Sequence, residues 1–160
     1  MVDFPKLLER FATAVRDNDG AGLASLFTPD GLYDDGFFGA YAGAEAITGM
    51  LQHFHETGAD YRWDFFDPLS DGHIGYARYR FSYVSKMPGS QGKPVLFEGT
   101  SFFTFQGDKI ARYSEVFDRG LALVQQDFAA ERLKKVLAKA AARQNAGAQA
   151  QEHLARFARG

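Results

Sequence analysis

The sequence predicts an α+β fold, a curved antiparallel sheet wrapped around helices so as to enclose an internal cavity, with a C-terminal helical extension. Two changes of period carry this expectation. Apolar residues recur at helical spacing from residue 4 to about residue 57, and from about residue 60 the spacing drops to two over four long segments rich in Phe, Tyr, Val and Thr. After "VFDRG" the helical spacing returns. Helices followed by a run of strands argue for an α+β arrangement. At 160 residues the chain suits one domain able to bury a core without disulfides or metal. Residues 1–118 read as its body and 119–160 as a helical extension of the same domain.

Each element has its own signal. Phe4, Leu7, Leu8, Phe11, Ala14 and Val15 form one helical stripe over 4–17, with Pro5 in the first turn and Asp3 as N-cap. A short helix is expected over 20–27, a turn at "TPDG" and a short strand over 31–35. Ile47, Met50, Leu51 and Phe54 mark a helix over about 43–57, stopped by Gly58. The strands are placed at 61–69, 73–86, 95–106 and 109–118, with hairpin turns at "SDGH" and "QGDK" and a longer connection at "MPGSQGKP". Leu121, Val124, Phe128, Leu133 and Leu137 predict one helix from 119 to about 143, docked on the body or on a partner subunit and interrupted by "QNAG".

Composition narrows the function classes. The chain has no cysteine, which excludes a disulfide scaffold and a thiolate metal site and fits a reducing compartment. "MVDFPKLLERF" carries Asp3 and Glu9 and no long apolar core, unlike a signal peptide. No apolar run approaches the ~20 residues of a membrane span. The expectation is a soluble, cytoplasmic protein with no membrane partner. A net charge of −2 argues against nucleic acid as a partner, although the charge is uneven: +5 over 119–160 and −7 over the rest. That basic tail is either a solvated helix face or a means of self-association, and its complementarity with the acidic body motivates docking on the body or on a partner subunit. No phosphate loop, dinucleotide glycine motif or G-x-S-x-G is present. His53 and His55, two apart on a helix, do not face together, so no metal site is expected. A cofactor-independent reaction is what remains for an enzyme. Sixteen Phe, seven Tyr and one Trp supply rings for a core, and for lining a pocket that takes a flat apolar ligand. Trp63 and most of the rings read as packing.

Two carboxylates stand out. In "LYDDGFFG", Asp34 and Asp35 point to opposite sides if the strand continues, so one can face a cavity. The alternative is plain turn chemistry, since Asp and Gly favour turns for local reasons. On 109–118, Tyr113, Glu115 and Phe117 share one face, against Arg112, Ser114, Val116 and Asp118 on the other. A carboxylate between two rings on an apolar face is costly to ionise, which raises its pKa and poises it for proton transfer near neutrality. The alternative for Glu115 is an ion pair with Arg78 or Arg80 on a neighbouring strand. On 95–106, Phe97, Gly99, Ser101, Phe103 and Phe105 share the expected cavity parity. The opposite parity, with Phe102 and Thr104, is an outer face that a second subunit would cover.

With "DGAGLASLFTPDGLYDD", "YAGAEAITGMLQHF" and "FTFQGDKIARYSEVFD", residues 4–118 resemble the nuclear transport factor 2-like superfamily, and within it the SnoaL-like and ketosteroid-isomerase-like proteins. The resemblance implies a cone-shaped sheet with a cavity. It also implies roles by position. The proton-shuttling aspartate of ketosteroid isomerases falls on Asp35. Their two oxyanion-hole positions fall on Phe11, which has no donor, and Ser101, a weaker one, so the base position is kept and the oxyanion hole is not. The acid/base carboxylate of SnoaL-like cyclases falls on Glu115, in "IARYSEV".

Together these readings predict a small cofactor-free enzyme acting on a flat hydrophobic molecule with a carbonyl or hydroxyl group. Asp35 and Glu115 move protons, and Tyr83 or Ser101 polarises an oxygen. Tyr33, Phe11, Phe54, Phe103, Tyr113 and Phe117 bind the apolar body, and the protein is a homodimer. Isomerisation, cyclisation and hydration or dehydration all use such equipment. The alternative is a non-catalytic binder or accessory subunit on the same fold.

Overall fold

Helix α1 (Phe4–Arg16) begins where Asp3 accepts the Lys6 N–H at 3.2 Å and Pro5 occupies the first turn. Its buried stripe is Phe4, Leu7, Leu8, Phe11, Ala14 and Val15. Then follow α2 (Gly20–Ala24), β1 (Phe27–Asp35), β2 (Gly39–Ala42), α3 (Gly43–Thr57), β3 (Gly58–Ser70), β4 (Ile74–Ser85), β5 (Pro94–Gln106), β6 (Lys109–Phe117), α4 (Arg119–Gln125), α5 (Ala130–Asn145) and α6 (Ala148–Leu154). This computed structural model describes residues 1–157.

Among the described residues the six strands form one sheet in the order β2-β1-β6-β5-β4-β3. The run β3 to β6 is an antiparallel meander, as the period of two predicts. Its inner face carries Tyr61, Trp63, Ala77, Tyr79, Phe81, Phe97, Phe103 and Tyr113, all buried against the α1 and α3 stripes. Phe11 is fully buried at the centre, with the rings of Tyr33, Trp63, Phe103 and Tyr113 all within 6.0 Å of its own. Such ring pairs add stability beyond the area they bury.

Three details differ from the expectation. The sheet is not wholly antiparallel: β1 pairs parallel with β6, and an unforeseen strand, β2, closes a hairpin with β1. "TPDG" is not a turn between elements. α2 ends earlier than predicted, and Thr28–Gly31 form a bulge inside β1, where Phe27 pairs with Ile110 and Leu32 with Arg112. Pro29 lacks the N–H a regular ladder would need there. Finally, the predicted single C-terminal helix is broken into α4 and α5 by Asp127, whose φ of 56° is left-handed. Leu121 and Val124, expected to pack, are exposed at 57% and 56%, and Leu137 is also exposed.

The extension nonetheless docks on the body. The Gln125 side chain mimics a strand: its Oε1 accepts the Leu96 N–H at 2.9 Å and its Nε2 donates to the Leu96 carbonyl at 2.8 Å. Ala122 and Leu123 are buried beside it. Asp127 pairs with Lys93, and Arg143 reaches Asp34 at 3.3 Å.

Candidate active site

The concave sheet face, α3 and the C-terminal extension surround a cavity of about 350 Å³. β1 and the turn after it supply Tyr33, Asp35, Phe37 and Phe38. The meander supplies Tyr61, Trp63, Phe81, Tyr83, Phe97 and Glu115, and α3 supplies His53, Phe54 and Thr57. Leu123, Gln126, Phe128, Arg132 and Val136 of the extension complete the wall. The rings come from alternate strand positions, so a period of two on the meander becomes a nearly continuous apolar lining.

Asp34 and Asp35 face opposite sides of β1. Asp34 points outward to Arg112 at 3.1 Å and to Arg143. Asp35 is buried, borders the cavity, and its Oδ1 accepts the backbone N–H groups of Phe37 and Phe38, both at 2.8 Å. It therefore closes the β1–β2 turn and faces inward at once. Its other oxygen has no partner among the described residues. Burial raises the Asp35 pKa, and those two N–H groups together with the charge of Arg119 hold the rise in check.

Glu115 also borders the cavity and is half-buried. Its Oε2 accepts the hydroxyls of Tyr79 and Tyr113, each at 2.9 Å, and its Oε1 accepts the Gly36 N–H at 3.3 Å. Since Tyr113 donates to Glu115, it takes its own hydrogen bond from Ser101 Oγ, 3.0 Å away. Two glycines make these approaches sterically possible. A Cβ at Gly99 would lie 2.6 Å from the Tyr79 hydroxyl, and one at Gly36 would lie 2.1 Å from the Phe117 ring. Burial and the nearby Asp35 charge push Glu115 up to about 7, opposed by the donors Tyr113, Tyr79 and Gly36. Arg78 and Arg80 are occupied elsewhere, by Asp67 and Glu98 on the outer face. Among the described residues neither Asp35 nor Glu115 is in a salt bridge.

The candidate residues thus divide. Asp35, Glu115, Tyr33, Phe54 and Tyr83 meet at the cavity. Ser101 and Tyr113 lie behind Glu115, fully buried, and reach the cavity only through its carboxylate. Phe11 and Phe103 are core. Phe117 stacks on Phe97 at 4.5 Å and supports the wall without lining it. Sequence reasoning assigned Tyr79 no role; its contact with Glu115 depends on Gly99, its partner on the adjoining strand. Trp63, read as packing, lines the cavity. The wall contributed by the extension had no signal in the sequence. His53 sits at the cavity beside Glu56, while His55 bonds the Val15 carbonyl at 2.7 Å. Among the described residues no group of three or more His, Asp or Glu side chains is placed to hold a metal ion, and no helix is long and apolar enough to cross a membrane.

A family model described as "SnoaL-like domain" matches residues 8–113. The chain belongs to the SnoaL-like domain family. That match runs from α1 into β6, so it includes the cavity floor and Asp35 and stops two residues short of Glu115. A search of curated proteins finds no match. Among solved structures the SnoaL-like chain resembles a hypothetical protein of ketosteroid isomerase-like fold from Catenulispora acidiphila, in complex with trimethylamine. The TM-score is 0.71 at 18% identity, over 79% of this chain and 96% of that one. It also resembles IdmH, a candidate polyketide cyclase from Streptomyces antibioticus (TM-score 0.66, 16% identity, 79% and 99% covered). A third is an LEH-like epoxide hydrolase of M. tuberculosis (TM-score 0.63, 13% identity, 84% and 94% covered). At these identities the likeness establishes the fold, and the fold hosts several chemistries among these relatives.

Proposed function

We propose that this SnoaL-like protein is a cofactor-independent enzyme that moves a proton on a flat, hydrophobic molecule bearing a carbonyl or hydroxyl group, in an isomerisation, cyclisation or hydration–dehydration. The observation that carries this reading is the pair of carboxylates. Asp35 and Glu115 border one apolar cavity, neither is ion-paired among the described residues, and Glu115 sits at about 7. A group poised near ambient pH both takes and returns a proton with little loss. Burial also raises Asp35, two backbone N–H groups favour its charged form, and that charge is one cause of the Glu115 rise. The names of the structural relatives, among them a candidate polyketide cyclase and an epoxide hydrolase, are consistent with carboxylate chemistry in such a cavity.

The experiment is exchange of protons for deuterium next to the carbonyl of a panel of flat ketones, followed by proton NMR. The wild-type protein accelerates exchange for members of the panel, and Glu115→Gln lowers the rate by about 10²- to 10⁴-fold. A Gln variant as active as the wild type removes Glu115 from the chemistry and leaves a hydrophobic-ligand binder on the same fold. We also propose a homodimer formed through the outer sheet face, where the rings of Tyr76 and Phe102 lie 5.0 Å apart and Leu96 and Val116 are exposed.

A further inference from the structure

The cavity has a buried floor and an exposed mouth. Of its lining, Tyr33, Asp35, Trp63 and Phe97 are buried, whereas Phe38, His53, Met87 and Arg132 are exposed. Arg132 is the one Lys or Arg side chain in that lining among the described residues. It stands in the first turn of α5, with its guanidinium over the Phe128 ring at 4.1 Å, and Phe128 lines the cavity too. Among the described residues Arg132 is in no salt bridge, whereas His53 faces Glu56 at 3.5 Å. The basic side chains of α5 are Arg132, Lys134, Lys135, Lys139 and Arg143, against Glu131 alone. Arg143 is the one that reaches an acidic group of the body, Asp34, among the described residues. Docking of the extension therefore leaves Arg132 unexplained. A charged group in the wall of an otherwise apolar cavity selects and orients what enters it.

We infer that Arg132 is an anion-binding group at the cavity mouth, so that the cavity takes flat hydrophobic molecules bearing a carboxylate in preference to neutral molecules of the same shape. This deepens the function proposed above and rests on it for the reaction, though not for the binding. The planar guanidinium fork matches a carboxylate, and its place over Phe128 restricts the side chain before a ligand arrives. One guanidinium, with no second Lys or Arg in the described lining, suits a singly charged group. The floor supplies the orientation. Asp35 and Glu115 repel an anion, so the ligand's carboxylate stays at the mouth, and its neutral, reactive end lies among the rings beside the two carboxylates. The excess of positive charge on α5 also raises the local concentration of anions where the cavity opens.

The test uses two probes of one shape, 2-naphthoate and its neutral counterpart 2-naphthamide. Each is bound to the wild-type chain, Arg132→Gln and Lys134→Gln and measured by calorimetry at one ionic strength. Arg132 is exposed and outside any described salt bridge, so the fold is expected to survive its replacement. Lys134 lies on another face of α5, with Leu133 and Leu137, so Lys134→Gln removes the same charge from the same helix away from the cavity. The wild type prefers the naphthoate. Arg132→Gln weakens the naphthoate by about tenfold, as loss of a charge-assisted hydrogen bond does, and changes the naphthamide less than about twofold. Lys134→Gln leaves both within about twofold. The loss at Arg132→Gln is expected in a Glu115→Gln background as well, so the result stands apart from whether Glu115 is catalytic. The assignment is overturned if the wild type binds neither probe or does not prefer the acid. It is equally overturned if Arg132→Gln keeps the wild-type preference, or if the two substitutions weaken the naphthoate alike, which would trace the effect to the charge of the helix as a whole.

Discussion

The Tyr79 hydroxyl donates to Glu115 Oε2 across 2.9 Å, and the room for that contact is the missing side chain of Gly99 on the adjoining strand. The bond stabilises the ionised carboxylate, whereas burial and Asp35 favour the protonated one. Glu115 is therefore set by a balance, and each weight can be removed separately.

Tyr79→Phe removes a donor to the ionised form, so the Glu115 pKa rises above about 7. Asp35→Asn removes a repelling charge, so it falls, while the Asn oxygen still accepts the Phe37 and Phe38 N–H groups that close the turn. Carboxyl titration by NMR with labelled Glu reads both. Shifts in the same direction would show that something other than this balance sets the pKa.

Glu115 also links stability to pH. Its folded pKa is raised, from 4.5 to about 7, so the folded state holds the proton more tightly than the unfolded chain. The stability this provides is complete below about 4.5 and is lost as pH rises through about 7. The loss is on the order of 3 kcal/mol for a shift of this size. Glu115→Gln abolishes the titration, so the variant gains on the wild type as pH increases from 4.5 to 8.5. Denaturant melts at both pH values measure it, and a difference between the two proteins that stays constant with pH refutes the linkage.

The extension is expected to matter unequally along its length. Truncation after Asp118 removes buried Ala122 and Leu123 and the two Gln125–Leu96 hydrogen bonds, and strips part of the cavity wall. It should cost on the order of 3 kcal/mol and weaken binding of apolar probes. Truncation after Asn145 removes α6, which has no buried residue, and should change neither. Thermal melts of the two truncated chains decide it, and equal effects would show that docking does not reside in α4.

For the outer face, Val116 is 78% exposed on a strand and lies opposite Thr100 in the ladder. Val116→Arg should leave the fold intact and convert a dimer to a monomer, read as molar mass by light scattering. A wild-type chain that is already monomeric at micromolar concentration ends the dimer proposal.

What the sequence determined by itself is the part of the structure governed by local period. The alternation Tyr113-Glu115-Phe117 put Glu115 on the inner face without reference to any other element, because side chains on a strand alternate whatever the strand pairs with. The same rule separated Asp34 from Asp35, and the spacing of Phe4, Leu7, Leu8 and Phe11 set the buried face of α1. Only the tertiary structure decided what those faces meet. The Tyr79–Glu115 bond joins residues 36 apart, and the parallel pairing of β1 with β6 joins segments further apart still; neither leaves a trace in local periodicity. Ser101 has the cavity parity but sits behind Glu115, since sharing a face does not set depth. Trp63 shares a period with ordinary core rings, and only the packed structure shows that it borders the cavity. The break at Asp127 is a left-handed backbone position that helical spacing does not forbid. Periodicity fixes direction relative to a residue's own element, and distance to a partner is a property of the packed whole.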